Sequence, residues 1–185
     1  MNCRHCHCEL QHLFVDLGTA PPSNAYLKQS DLNRAEKFFP LRVYVCDHCW
    51  LVQTQDYALP EELFSANYAY FSSYSQSWLE HAKDYVKKMV AELQLTDQSF
   101  VIEIAANDGY LLQNFVQKNI PCLGVEPTKS TAEAARKKNI PIDENFFGLS
   151  LAQEIANKKG LADLLIANNV LAHVPDINNF VAAFA

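Results

Sequence analysis

Two groups of residues in this chain have the types and spacing that chemistry requires. The first is thiol-rich. Cys3-Arg-His-Cys6 and Cys46-Asp-His-Cys49 are two Cys-x-x-Cys pairs with 39 residues between them. A thiolate pair at this spacing can occupy two corners of a zinc tetrahedron, and two pairs complete it. Four thiolates leave no open position, so such a site is structural rather than catalytic. Redox dithiols or unrelated thiols are the alternatives. Cys8 complicates the count: it can replace Cys3 or Cys6, or stand by. His5, His7, His12 and His48 can also ligate, although a histidine beside a knuckle is more often a surface residue.

The second group belongs to nucleoside chemistry. The run Phe100 to Tyr110 reads as a buried strand stopped by the small turn Ala105-Ala106-Asn107-Asp108-Gly109. Ala105, Asn107 and Gly109 hold the three places that a glycine-rich turn would fill, with Gly, Asn and Asp best suited to left-handed backbone. Glu126 follows 21 residues after Ala105, at the end of the next strand, where a carboxylate can accept hydrogen bonds from both ribose hydroxyls. Glu103 lies inside the strand and, if buried, must pair with something such as a ligand ammonium. Asn168 and Asn169 end a further strand at the same carboxyl edge. Taken together these residues favour a nucleoside-type ligand. The strict Gly-x-Gly-x-x-Gly is absent, which disfavours NAD and FAD.

These residues need a frame. From residue 100 strand and helix alternate: strands at 100–105, 122–125, 140–142 and 162–167, and helices at about 110–118, 130–138, 149–158 and 177–185. That alternation predicts an α/β fold with a parallel sheet covered on both faces. Cys122 opens a buried strand and reads as a core thiol. Residues 1–56 read as a small β-rich metal module, with strands around Leu13–Gly18, Pro40–Val45 and Leu51–Thr54. Residues 57–99 form a connection: a helix start at Pro60, an aromatic and hydroxyl-rich stretch Asn67 to Ser75, and a long amphipathic helix from about Gln76 to Leu95. The aromatic stretch is either a loop packed by its own rings or a loop that folds over a ligand. The chain stops in a helix with no following strand, so residues 100–185 are expected to be an incomplete sheet of a longer protein.

Composition sets limits. The 185 residues are 49% apolar and 19% charged, which is ordinary for a globular chain. The formal charge of −6 argues against nucleic acid or an anionic membrane as the main partner. No apolar run approaches the roughly 18 residues of a membrane span, and the first residues lack the apolar core of a signal peptide. A cytoplasmic location, with cysteines reduced, is the expectation.

Glu103-Ile-Ala-Ala-Asn-Asp-Gly-Tyr-Leu-Leu112, Gly124-Val-Glu126-Pro127 and Asn168-Asn-Val-Leu-Ala-His173-Val-Pro175 together resemble class I S-adenosylmethionine-dependent methyltransferases, with their Rossmann-like sheet. With the paired knuckles, Asp16-Leu17-Gly18-x-x-Pro21, Pro40-Leu41-Arg42-Val43 and Tyr68-x-Tyr70-x-Ser72-Ser73-Tyr74-Ser75, the set resembles the sugar C-methyltransferases that carry an N-terminal zinc-binding domain. The resemblance implies action on a nucleotide-linked keto-deoxysugar: a proton beside the ketone is removed and methyl goes to the carbanion. It implies that Ala105, Asn107, Asp108 and Gly109, with Glu103, Tyr110 and Leu111 around them, cradle the methionine part of the cofactor. Glu126 would hold the ribose; Pro127, Phe146 and Phe147 would flank the adenine; Asn168, Asn169 and Val170 would bound the site near the methyl donor; Ser75 would help close over it. His173 is implied as a base or orienting group, its bland alternative being a cap before Pro175. Tyr68, Tyr70 and Tyr74 are substrate-contact candidates. Ala105 departs from a glycine common in the class. The family also has a further domain, with a Glu-His pair that helps catalysis, which nothing in these residues matches; little methyl transfer is therefore expected of this chain alone. A non-catalytic zinc-bearing binding module and a nicotinamide-dependent sugar-modifying enzyme are the competing readings.

Overall fold

The computed structural model describes residues 1–64 and 68–185; Asn67, at the start of the aromatic stretch, lies outside them. The first unit is an antiparallel sheet of β1 (His12–Ala20), β2 (Phe39–Val45) and β3 (Val52–Thr54) in the order β1-β2-β3. β2 delivers Cys46 and β3 leaves the second knuckle, as the alternating pattern predicts. Its register breaks twice along β1, between Leu13 and Val15 and between Asp16 and Thr19. Such bulges add twist to an otherwise flat ribbon.

The second unit is a parallel sheet of β4 (Val101–Ile104), β5 (Cys122–Val125), β6 (Ile142–Asp143) and β7 (Leu164–Ala167), in the order β6-β5-β4-β7. Short helices connect the strands: α3 (Gln113–Val116), α4 (Lys129–Arg136) and α5 (Leu149–Lys159). Before the sheet come α1 (Pro60–Leu63) and α2 (Gln76–Glu92), and after it α6 (Ile177–Ala182). β5 and β6 step away from β4 on one side and β7 lies on the other. The chain therefore reverses direction at β4, and ligands of open α/β sheets bind outside the carboxyl ends of the strands at such a point.

Both faces of the sheet are covered. Val101 packs with Val86, Leu112, Phe115 and Ile140 under α2, α3 and α4. Ile102 and Ile104 point the other way, onto Ile155 of α5 and Phe180 of α6. Strand alternation thus sends Glu103 to the α2–α3 side, into apolar surroundings. Cys122 is a core thiol, and burial followed by the nearby Glu103 charge pushes it up to about 11.

Several boundaries differ from the sequence expectation for physical reasons. The helix expected over 110–118 shrinks to Gln113–Val116. The Asn114 side-chain amide bonds the Tyr110 and Leu111 carbonyls, and tighter i to i−3 bonds from Asn114 and Phe115 occupy the first turn. α3 and α4 end on asparagines in left-handed conformation, Asn119 (φ 56°) and Asn139 (φ 62°), doing the stop work usually given to glycine. The third strand moves from 140–142 to Ile142–Asp143, because the side chain of Ile140 is drawn into the core.

Two glycines mark where backbone must approach backbone. A Cβ at Gly124 would lie 2.8 Å from the Ala106 Cβ and 2.4 Å from Ile142 Cδ1, so the turn after β4 sits directly on β5. Gly109 has φ 75°, and a Cβ there would meet Ile140 Cδ1 at 2.3 Å and Ala135 Cβ at 3.2 Å. Gly109→Ala is expected to cost about 2–4 kcal/mol, combining overpacking with left-handed strain. Urea unfolding should show a lower midpoint with an unchanged slope.

Candidate active site and metal centre

The turn after β4 has the conformation anticipated from its residues. Ala105 (φ 56°), Asn107 (φ 50°) and Gly109 (φ 75°) are all left-handed, with negative φ at the residues between them. Two of the three are not glycine, and each such residue costs about 1–2 kcal/mol of backbone strain. Glu126 holds the bend in place. Its Oε2 accepts from the Asn107 backbone N–H and its Oε1 from the Thr128 backbone N–H, both at 2.9 Å. A carboxylate has about four lone-pair sites, so Glu126 keeps acceptor capacity for two hydroxyls.

The Asn107 side chain does a second task. Its Oδ1 accepts from the Ser72 N–H at 2.9 Å, and its Nδ2 donates to the Tyr70 carbonyl at 3.1 Å. Lys138 reaches the same segment, with Nζ at 2.8 Å from Ser73 Oγ and 2.7 Å from the Asp108 carbonyl. Ser130 adds a bond to the Tyr68 carbonyl at 3.0 Å. The aromatic stretch is therefore strapped across the mouth of the sheet by Asn107 of the turn, Ser130 of α4 and Lys138 just beyond it.

Beneath the strap lies a cavity of about 600 Å³. It is lined by Ala105, Asn107 and Tyr110 from the turn, by Glu126 and Pro127 after β5, and by Phe146 and Phe147 before α5. Asn168, Asn169 and Val170 after β7, His173, and Tyr68 and Tyr70 of the strap complete its walls. Most residues singled out from the sequence thus meet on one concavity. Six side chains do not line it. Leu111 is in the core, and Gly109 faces Ile140 and Ala135. Tyr74 is 83% exposed and stacks on Phe71 instead. The Ser75 hydroxyl caps α2 by accepting from the Trp78 N–H. Asp108 and Glu103 are buried beneath the floor. Trp78, Phe64 and Thr128 also line the cavity and were not singled out. Trp78 sits on the buried face of α2, where the helical pattern reads as plain core, yet its ring stacks on Tyr110 at 5.9 Å.

The floor is electrostatically unfinished. Both carboxyl oxygens of Glu103 and Oδ1 of Asp108 are buried and reach hydrogen-bonding geometry with no described group, although the Tyr110 hydroxyl lies close to Glu103. Burial, followed by the charges of Glu126 and Asp108, raises the Glu103 carboxyl well above its ordinary value. Burial and then the Glu103 charge likewise push the Tyr110 phenol up. Asp108 has a cation beside its other oxygen, with Lys138 Nζ 3.4 Å from Oδ2, so the unmet polarity rests mainly on Glu103.

At the other end of the chain the two Cys-x-x-Cys loops repeat one geometry. The Cys3 N–H bonds the Cys8 carbonyl and the His7 N–H bonds the Cys3 carbonyl; the Cys46 N–H bonds the Leu51 carbonyl and the Trp50 N–H bonds the Cys46 carbonyl. His7 (φ 63°) and Trp50 (φ 65°) turn the chain back at equivalent places. The sulfurs of Cys3, Cys6, Cys46 and Cys49 all lie within 4.8 Å of one another, with Cys3–Cys49 and Cys6–Cys46 at 3.5 Å. Zinc–thiolate bonds near 2.3 Å need sulfurs about 3.8 Å apart, so this set fits a tetrahedral zinc. Burial disfavours the Cys3 thiolate, but backbone bonds from Cys6 and His5 and the Gln53 amide outweigh it and bring the thiol down to about 6. The module is fastened to the sheet unit by a reciprocal pair: His5 Nδ1 with Asn178 Oδ1, and Asn178 Nδ2 to the His5 carbonyl, both 2.8 Å. No helix among the described residues is long and apolar enough to cross a membrane.

Residues 3–64 match a family model described as "Putative zinc binding domain". Over 176 residues, 95% of its length, the chain is 32% identical to C-methyltransferase NovU of Streptomyces niveus. The chain is similar to the N-terminal part of a C-methyltransferase. It spans 42% of that relative's length. Two solved structures match only loosely: MccD protein (15% identity, TM-score 0.26, 48% of this chain and 30% of that one) and YcgJ protein from Bacillus subtilis (18% identity, TM-score 0.26, 50% and 31%). The fold assignment rests on the strand order instead.

Two outcomes are expected. Elemental analysis is expected to find stoichiometric zinc in the parent chain, and Cys3→Ser and Cys49→Ser variants should each purify without it. For Glu103, the raised folded-state value means that its contribution to stability is fully present below the unfolded value near 4.5 and is lost as pH climbs through the folded one. Across that window the ligand-free chain should lose up to about 1.4 kcal/mol per pH unit. Glu103→Gln should flatten the curve and be the more stable protein above neutrality, as read by urea unfolding across a pH series.

Proposed function

We propose that this chain forms the zinc module and the S-adenosylmethionine-binding part of a C-methyltransferase that acts on a nucleotide-linked keto-deoxysugar. The observation that carries the reading is that the left-handed turn at 105–109 and the carboxylate of Glu126 open onto one cavity at the sheet's reversal point. The similarity to a C-methyltransferase supports the reaction class.

S-adenosylmethionine would supply a sulfonium-bound methyl as the electrophile. The chain's own residues bind, orient and move a proton. Glu126 would accept from the two ribose hydroxyls with the lone pairs left free by Asn107 and Thr128. Pro127, Phe146 and Phe147 give the adenine an apolar slot. The partnerless oxygens of Glu103 and Asp108 lie buried near the turn and would favour the positive charge of the ammonium and sulfonium that the cofactor would bring. Asn107 and Lys138 hold the Tyr68–Ser75 strap over the cofactor and so keep water out.

The acceptor side is formed by His173 and Tyr70. His173 lines both the main cavity and a second one of about 440 Å³ between the metal module and the sheet unit, and its ring meets Phe64 edge-on at 6.0 Å. From there an imidazole nitrogen can take the proton beside the sugar ketone, leaving the electron pair on that carbon. Tyr70 stands half-exposed at the lip. Tyr74 faces solvent and stacks on Phe71, so in this arrangement the acceptor meets Tyr70 first.

Calorimetric titration with S-adenosylhomocysteine, NADH and a single-stranded oligonucleotide tests the reading. Binding of the first alone is expected, weakened about 10-fold or more by Glu126→Gln, since each bond to a charged acceptor contributes roughly 1.5–3 kcal/mol. Comparable binding of NADH, or indifference to Glu126→Gln, would refute it.

A further inference from the structure

The two knuckles share a backbone path but differ in the residue that closes it. In the second knuckle that residue is Leu51, which packs against the thiol cluster. Its equivalent in the first knuckle is Cys8, which accepts from the Cys3 N–H as Leu51 accepts from the Cys46 N–H. The knuckle geometry therefore needs no thiol at this position. Cys8 is nevertheless a free, half-buried thiol, and its sulfur, the Cys6 sulfur and a ring nitrogen of His48 all lie within 4.8 Å of one another. The same asymmetry holds for the histidines. His5 of the first knuckle is spent on Asn178 of α6, whereas His48, its counterpart in the second, has turned toward Cys6 and Cys8.

We infer that Cys6, Cys8 and His48 form a second, outer metal site that shares the Cys6 sulfur with the buried four-cysteine set and takes a soft or borderline divalent cation. Three protein ligands of type sulfur, sulfur and nitrogen suit zinc-like ions and leave a fourth position for water. The location favours a cation, because four thiolates around one divalent ion carry surplus negative charge, and the shared sulfur retains lone pairs for a second bond. Binding forms a metal–sulfur bond at Cys8 and releases the thiol proton to solvent, while His48 coordinates as neutral imidazole. Accessibility separates the two sites. Cys3 and Cys46 of the inner set are 1% and 0% exposed, whereas His48 is open to solvent. The outer site is thus the accessible face of the inner one, and an ion held there lies one shared sulfur from the buried position. This assignment is independent of the methyltransferase reading and requires only the four-cysteine set.

Cobalt(II) added to the full chain carrying a single equivalent of zinc, enough for the inner site alone, provides the test. Zinc outranks cobalt in affinity, so cobalt leaves the inner site undisturbed and reports the outer one. The expected result is one further equivalent of cobalt with thiolate-to-cobalt charge-transfer absorption. Cys8→Leu, which copies the residue at the equivalent place of the other knuckle, should abolish that band with one zinc retained. His48→Ala should weaken binding by at least the roughly 10-fold that even an outer-shell partner contributes. Cys122→Ala, which removes a distant core thiol, should change nothing. Absence of the band in the parent chain, its survival in Cys8→Leu, or stoichiometric zinc release on cobalt addition would each overturn the assignment.

Discussion

One pair of hydrogen bonds organises the sheet unit. Glu126, at the end of β5, accepts the amide of Asn107 from the end of β4 and the amide of Thr128 from its own loop. A buried carboxylate is tolerable only where donors meet it. These two donors exist because Asn107 is left-handed and because the turn approaches β5 closely enough to exclude a side chain at Gly124. Strand spacing, turn conformation and cavity-facing carboxylate are thus one constraint. Through its own side chain Asn107 extends that constraint to the strap, so that one residue aligns floor and roof.

The crevice also shows where stability was not the governing requirement. Glu103 and Asp108 hold buried oxygens without partners, and Ala105 and Asn107 sit in backbone conformations that favour glycine. Each is unfavourable in the ligand-free chain, and all lie at the same end of the sheet. Strain and unmet polarity concentrated in one place accord with the binding role proposed for this crevice. The opposite face, with Ile102, Ile104, Ile155 and Phe180, has no such feature.

Much of this was legible in the residues. The strands β4, β5 and β7 follow from short β-branched runs with abrupt small-residue ends, and Glu126 follows from its place one crossover beyond the turn. The thiol tetrad follows from spacing alone. Other features were hidden because they depend on contacts distant in sequence. Lys138 reads as a solvated charge at a helix end, yet it ties Ser73 to Asp108. Trp78 lies on a core-facing helical stripe, and nothing in that stripe distinguishes a ring that lines a cavity from one that fills it. Asn119 and Asn139 ended helices without glycine, which is why the helix bounds ran long. Ser75 and Tyr74 belong to a motif whose spacing is visible, but the direction of each side chain is decided by the strap's anchoring, which is not.

The His5–Asn178 pair joins the thiol module to α6, and α6 carries Asn179 and Phe180 in the cavity wall. A metal bound by these four cysteines would hold so small a module in shape, and the free energy of coordination would then reach past the cysteines. Chelation would then act as a remote solvent-side lever: releasing the knuckle slackens the helix it grips, and the cleft would widen although no atom lining it had been altered.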